Sequence, residues 1–218
     1  MGLFDRKRCS VCDGKIGLLG NRKLADGDLC KNCAAQLSPW FTERKRSTVA
    51  EIRQQLALRQ ANQAQLSTFH PSRVIGEGMR VYIDQAQGRF IVTNAQDIHQ
   101  GNPDIIDMAM VSGCDLDIDE NRSELTYSNE DNEQVSYNPP RYEYRYAFWF
   151  RISLTGHPYL QQLRFRLNPR DVIFGHETSG FAGAGLTLDD EVRPETDPAY
   201  CRFQQMAEEL KAALTTAG

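Results

Sequence analysis

Two Cys-x-x-Cys pairs, Cys9-Ser10-Val11-Cys12 and Cys30-Lys31-Asn32-Cys33, stand seventeen residues apart near the start of the chain. Two residues between thiols let one backbone turn present both sulfurs to one ion, and two such turns complete the tetrahedral shell that zinc takes in structural sites. Cys9, Cys12, Cys30 and Cys33 are therefore the expected ligands of one structural Zn2+. With thiolates at all four positions, no coordination site is left for water or substrate, which disfavours a catalytic zinc. Gly14 follows the first pair and is the expected positive-φ residue of its turn. Between the pairs, Asp26-Gly27 separates two short extended arms, a hairpin signal. After the second pair, Ala34-Ala35-Gln36-Leu37 reads as a short helix that ends before Pro39. Turn, hairpin, turn and helix together outline a zinc ribbon or a small treble clef.

The run Cys9 to Gly20, with Lys23-Leu24, Asp26-Gly27 and Leu29 to Cys33, resembles the N-terminal zinc-ribbon module of a bacterial family of uncharacterised proteins. The resemblance covers about the first forty residues. It implies a zinc ribbon in a soluble bacterial protein and carries no activity with it.

A chain of 218 residues exceeds one typical domain and leaves room for one further core beyond the ribbon. No apolar run approaches the length of a membrane span, and the N-terminus has no signal-peptide hydrophobic region. Arg6 stands where a myristoylation signal needs Ser or Thr. A cytoplasmic location is expected, and its reducing milieu makes the paired cysteines metal ligands, with Cys114 and Cys201 as ordinary thiols. Charge is asymmetric: residues 1–60 carry a balance of +6 and residues 61–218 one of −10. Clustered bases suit nucleic acid. Zinc with four thiolates has formal charge −2, however, and Arg8, Lys15 and Lys31 offset it without a phosphate partner.

From Ser47 to about Leu66 runs a helix opened by the capping box Thr48-Val49-Ala50-Glu51. Val49, Ile52 and Leu56 start an apolar stripe, but its glutamines, including Gln54, Gln55, Gln60 and Gln63, suggest a solvated connector with one face docked. Beyond Phe69 the chain is written in strands. Arg80–Asp84 and Arg89–Thr93 flank a Gln85-Ala86-Gln87-Gly88 turn. Tyr142, Tyr144, Tyr146, Phe148, Phe150, Ile152 and Leu154 alternate with polar residues, and Leu163, Phe165 and Leu167 repeat the pattern after a turn at His157-Pro158. Ser128 to Asn138 reads as an exposed hairpin loop. The closing helix, Pro198 to about Leu214, carries Phe203, Met206, Ala207, Leu210 and Leu214 on one face.

The expected fold class is α+β. It comprises a zinc ribbon over 1–45, a connector helix over 46–68, and over 69–218 an antiparallel β barrel or sandwich closed by a C-terminal helix. The last part resembles a pleckstrin-homology-like domain in outline.

Catalytic readings find little footing. Asp115, Asp117 and Asp119 lack the glycine of a calcium loop and alternate like a strand's solvent face, from which they can pair with Arg145, Arg151, Arg164 or Arg166. Gly180 to Gly185 lacks the Lys and Ser or Thr of a phosphate loop. His70, His99, His157 and His176 share no metal spacing. The expected function is that of a non-enzymatic adaptor whose β domain recognises a protein or peptide. The alternative is a nucleic-acid-binding protein that uses the basic ribbon.

Overall fold

The computed structural model describes residues 7–175 and 193–215. It is a mixed α+β structure in which three antiparallel sheets accompany three helices among the described residues. The chain forms two compact units. One combines Met1–Val74, Val81–Ser112 and Leu154–Leu163; the other combines Ile75–Arg80, Gly113–Ser153 and Arg164–Gly218.

The first unit opens with the hairpin β1 (Arg22–Lys23) and β2 (Asp28–Leu29), followed by the five-residue helix α1 (Lys31–Ala35). Helix α2 (Val49–Leu66) starts where the sequence places it. The Thr48 hydroxyl accepts from the Glu51 amide at 3.3 Å, and the Glu51 carboxylate accepts from the Thr48 amide at 2.7 Å. Each bond satisfies a backbone donor that the first helical turn leaves without a partner. The first half of α2 buries Ile52 among Cys9, Ile16, Leu24, Leu29, Cys33 and Leu37, with Val49 and Leu56 at the margin. Its far end packs Leu66 with Phe69, Tyr82, Ile91 and Ile98.

Helix α2 is less solvated than its composition suggests. Gln55 is 3% and Arg59 4% exposed. Their burial follows from a polar network centred on Asp104, itself 2% exposed. Arg59 Nη1 donates to Asp104 Oδ1 at 2.8 Å, the Ser38 hydroxyl to Oδ2 at 2.7 Å and the Tyr159 hydroxyl to Oδ1 at 2.7 Å. Gln55 Oε1 accepts from the Ser38 amide at 3.3 Å. Buried polar groups are tolerated when they find such partners; Gln55 Nε2 alone of this network is buried without one.

Strands β3 (Arg73–Ile75), β4 (Arg80–Asp84), β5 (Arg89–Thr93) and β6 (Ile105–Asp107) form a sheet in sequence order. The β4–β5 turn is the expected one, with Gly88 at φ 61°. Beyond it β5 pairs with β6 through Phe90 opposite Ile106.

A second four-stranded sheet is organised on β8 (Gln134–Leu154), which pairs with β7 (Val111–Ser128) on one side and with β9 (Gln162–Arg166) and β10 (Val172–Phe174) on the other. The alternation read from sequence is its cause: Tyr144, Tyr146, Phe148, Phe150, Ile152 and Leu154 are all buried, and the residues between them are not. Helix α3 (Pro198–Thr215) lays Phe203 against Phe148 at 5.5 Å between ring centres, while Tyr200 meets Tyr146 and Phe148 edge-on at 5.2 and 4.9 Å. Asn168, fully buried, accepts from the Phe148 amide at 2.8 Å and donates to Tyr146 O at 2.9 Å, so a side chain continues the ladder past β9.

The strands divide into separate sheets, and the described residues contain no closed barrel, one of the two arrangements expected of them. One expectation is revised: the β7–β8 turn is tighter than Ser128 to Asn138. Asn129 Oδ1 accepts from the amides of Asp131 and Glu133 at 3.0 and 2.8 Å, which closes the turn within a few residues and extends both strands into solvent.

Candidate metal centre

The first Cys-x-x-Cys pair sits on a turn in which the Asp13 amide donates to Cys9 O at 2.8 Å and the Cys9 amide to Gly14 O at 2.9 Å. Asp13, at φ 55°, takes the left-handed conformation expected of Gly14. Asp tolerates that region through local hydrogen bonding. Gly14 serves a different need, since a Cβ there would lie 3.3 Å from Cys12 Sγ.

The second pair straddles the start of α1. Cys30 is its N-cap, and its Sγ accepts from the Cys33 amide at 3.4 Å. Ser10 and Asp28 clamp the two halves together: the Ser10 amide donates to Asp28 O at 2.8 Å, and the Asp28 amide donates to Ser10 Oγ at 3.1 Å. Asn21 and Lys7 hold the Asp28 carboxylate in turn, at 2.6 and 3.4 Å, and lower its pKa, with the Asn21 hydrogen bond the main cause. From α2, Arg53 donates to Ser10 O at 2.7 Å, and the Val49 amide donates to Asp26 Oδ1 at 2.7 Å.

These constraints bring all four sulfurs within 4.8 Å of one another. Cys12 Sγ and Cys30 Sγ are 3.7 Å apart. A tetrahedral ion with metal–sulfur bonds of about 2.3 Å sets its sulfurs about 3.8 Å apart, so the spacing fits a four-thiolate ion. Cys9 and Cys33 are buried, Cys30 is half-buried and Cys12 is exposed. The electrostatics favour a cation. Burial opposes ionisation of Cys9, yet the amides of Cys12, Cys30 and Val11 outweigh it and hold the thiol down to about 6. Burial, together with the sulfurs of Cys12, Cys30 and Cys9, pushes Cys33 up. Crowded sulfurs of this kind ionise together only with a positive charge between them.

All four cysteines singled out by their spacing are thus brought together. Sequence spacing does not reveal the Ser10–Asp28 clamp or the contacts from Asp26 and Arg53, which depend on non-local pairing. Among the described residues no other group of three or more His, Cys, Asp or Glu gathers in this way. Cys114 is a buried thiol pushed up to about 11 by burial first and then by Asp115. Cys201 Sγ lies 3.0 Å from Glu195 O. His176 and the Gly180 to Gly185 run lie outside the described residues. The aspartates of β7 form ion pairs, Asp115 and Asp117 with Arg151 at 3.3 and 3.7 Å, and Asp117 and Asp119 with Arg164 at 4.0 and 3.7 Å. Arg145 and Arg166 pair elsewhere, with Glu143 and Asp171.

A family described as a domain of unknown function (DUF4428) matches residues 7–55. The match carries all four cysteines and ends inside α2, just beyond Ile52, the residue through which that helix joins the cysteine cluster. Family match and cysteine geometry together fit a zinc-ribbon module. No curated protein and no solved structure matches the chain. No helix among the described residues is long and apolar enough to cross a membrane.

Proposed function

We propose that this chain is a non-enzymatic interaction protein in which one Zn2+, held by Cys9, Cys12, Cys30 and Cys33, fixes the N-terminal module while the sheet built on β7 and β8 recognises a protein or peptide. Zinc suits an all-thiolate tetrahedral set, and a shell filled by four protein ligands leaves the ion a structural task. A cytoplasmic setting agrees with thiols kept reduced for the metal.

The observation that carries the recognition reading is the free edge of β7. Over its eighteen residues this strand pairs, among the described residues, with β8 alone. An unpaired edge offers a row of backbone donors and acceptors to an extended segment of another chain. The distal part of the β7–β8 hairpin is exposed and rich in tyrosine and arginine, residue types favoured at interfaces. Tyr127 is 43% exposed and lies 5.0 Å from Tyr137, and Arg122 stacks 3.6 Å above Tyr142. The nucleic-acid reading rests on the ribbon's other bases, because Lys7 and Arg8 are engaged by Asp28 and Asp13.

Selection of a random-peptide library on the zinc-loaded full chain tests the proposal. Enriched peptides are expected to slow amide exchange along Val111–Ser128. Enrichment of none, or protection confined to other segments, would remove the edge-strand reading.

A further inference from the structure

The most exposed large apolar side chains of the described residues are neighbours: Leu18 at 96% and Leu19 at 89%. They occupy the two corner positions of a β-turn closed by the Gly20 amide donating to Gly17 O at 2.9 Å. Their near-complete exposure shows both side chains standing clear of the protein. The turn is well held. Ile16 on one side is 6% exposed in the cysteine cluster, and on the other Arg22 Nη1 donates to Leu19 O and Asn21 O at 3.1 and 3.2 Å. Two adjacent leucines held outward in water would each gain from burial in an apolar medium.

The surroundings specify which medium. Beside the turn lies a cleft of about 210 Å3 lined by Lys15, Lys31, Asn32 and Gly17, with Cys12 and Cys30 on its wall. Lys15 and Lys31 are exposed, and neither has a carboxylate partner among the described residues. A convex apolar tip flanked by exposed lysines without carboxylate partners is complementary to a surface with anionic groups outside and hydrocarbon beneath. A protein partner would have to supply a matching pocket; a bilayer supplies both layers to any tip of this shape.

We propose that the Gly17–Gly20 turn is a membrane-docking tip, in which Leu18 and Leu19 enter the acyl region of an anionic bilayer while Lys15 and Lys31 face lipid phosphates. The tip belongs to the ribbon and is independent of the β7 edge, so it stands or falls apart from peptide recognition.

The test is co-sedimentation of the zinc-loaded full chain with vesicles of phosphatidylcholine alone and of phosphatidylcholine with one-third phosphatidylglycerol. Binding is expected on the mixed vesicles, weaker at high salt, and reduced about tenfold or more in Leu18→Ser/Leu19→Ser. Because both side chains are exposed, that variant should keep its zinc and its circular dichroism. In Leu18→Trp, the new indole's emission should shift to the blue on mixed vesicles, measured against the native Trp40 and Trp149 background. Absence of binding on both vesicle types overturns the proposal, as does salt-sensitive binding that the double serine variant retains, which would mark a surface for anions alone.

Discussion

The Arg59 guanidinium and the Asp104 carboxylate meet at 2.8 Å with 5% and 2% of their side chains exposed. Forty-five residues apart in sequence, they join helix α2 to the loop before β6. Arg59 also donates to the carbonyls of Asn102 and Gln36, and Asp104 accepts from Ser38 and Tyr159. Burial, with the Asp104 charge, pushes the Tyr159 phenol up, so its hydroxyl remains a donor at physiological pH. Removing one member leaves the other charge buried without its counter-charge, which costs about 3–5 kcal/mol. Arg59→Met should therefore destabilise the first unit by that amount in urea unfolding followed through Trp40. Arg59→Met/Asp104→Leu should recover only part, because the Ser38 and Tyr159 hydroxyls lose their acceptor. Full recovery would show that the network acts through the ion pair alone.

The hairpin turn between the cysteine pairs makes a second contact that one methyl group can probe. A Cβ on Gly27 would lie 2.6 Å from Ser10 Oγ and 2.7 Å from Val49 Cγ2. Both neighbours are fixed, Ser10 by Asp28 and Val49 by the start of α2. Gly27→Ala should cost about 1–3 kcal/mol through overpacking and loosen metal retention, because Ser10 adjoins Cys9. Gly113→Ala is the control: nothing lies within 4 Å of its Cβ, and stability should stay within about 0.5 kcal/mol. Thermal melts and a colorimetric zinc-release assay read both effects.

What could be read from the sequence here is what short range determines. The Cys-x-x-Cys spacing, the Thr48–Glu51 capping box, the Gly88 turn and, from Tyr144 onward, the alternation read over Tyr142 to Leu154 each act within a few residues, and each appears in the structure. Arg59 and Gln55 were hidden because a charged or amide side chain on a helix looks solvated until a partner far along the chain is known. Period-two alternation fixes which face of β8 is buried but not how the strands close, and here they lie in separate sheets. At the metal centre the ligands were legible while the supports were not. The left-handed residue proved to be Asp13, while a Cβ on Gly14 would crowd Cys12 Sγ at 3.3 Å.

Metal removal should propagate as far as the cysteine core extends. Ile52 and Leu37 share one cluster with Cys9 and Cys33, so withdrawing the ion should loosen α2 along with the ribbon. Metal analysis is expected to give one zinc per chain. Chelation should shift the emission of Trp40, seen alone in Trp149→Phe, and leave that of Trp149, seen alone in Trp40→Phe. Equal loss of both signals would show that the zinc module supports both units. Cys33→Ser, which removes a buried ligand, should reproduce the chelated state without chelator.

His157 gives the first unit a pH dependence of known sign. Its Nδ1 accepts from the amides of Leu160 and Tyr159 at 3.1 and 3.4 Å, and its ring meets Tyr159 edge-on at 4.7 Å. Burial lowers its pKa below the ordinary 6.5, against an opposing pull from Asp104. The unfolded chain therefore binds the proton more readily than the folded one. Stability contributed by neutral His157 is fully present above about pH 6.5 and is lost as the pH falls through the lower folded value. His157→Asn keeps an acceptor near the two amides and removes the titration. Urea midpoints taken from pH 7.5 down to 5.5 should fall for the native chain and fall less for the variant. Zinc content must be followed at each pH, because protonation of the cysteines releases the ion in both proteins. Parallel slopes would mean that the two amide bonds survive protonation, and that the ring has turned to offer them another acceptor.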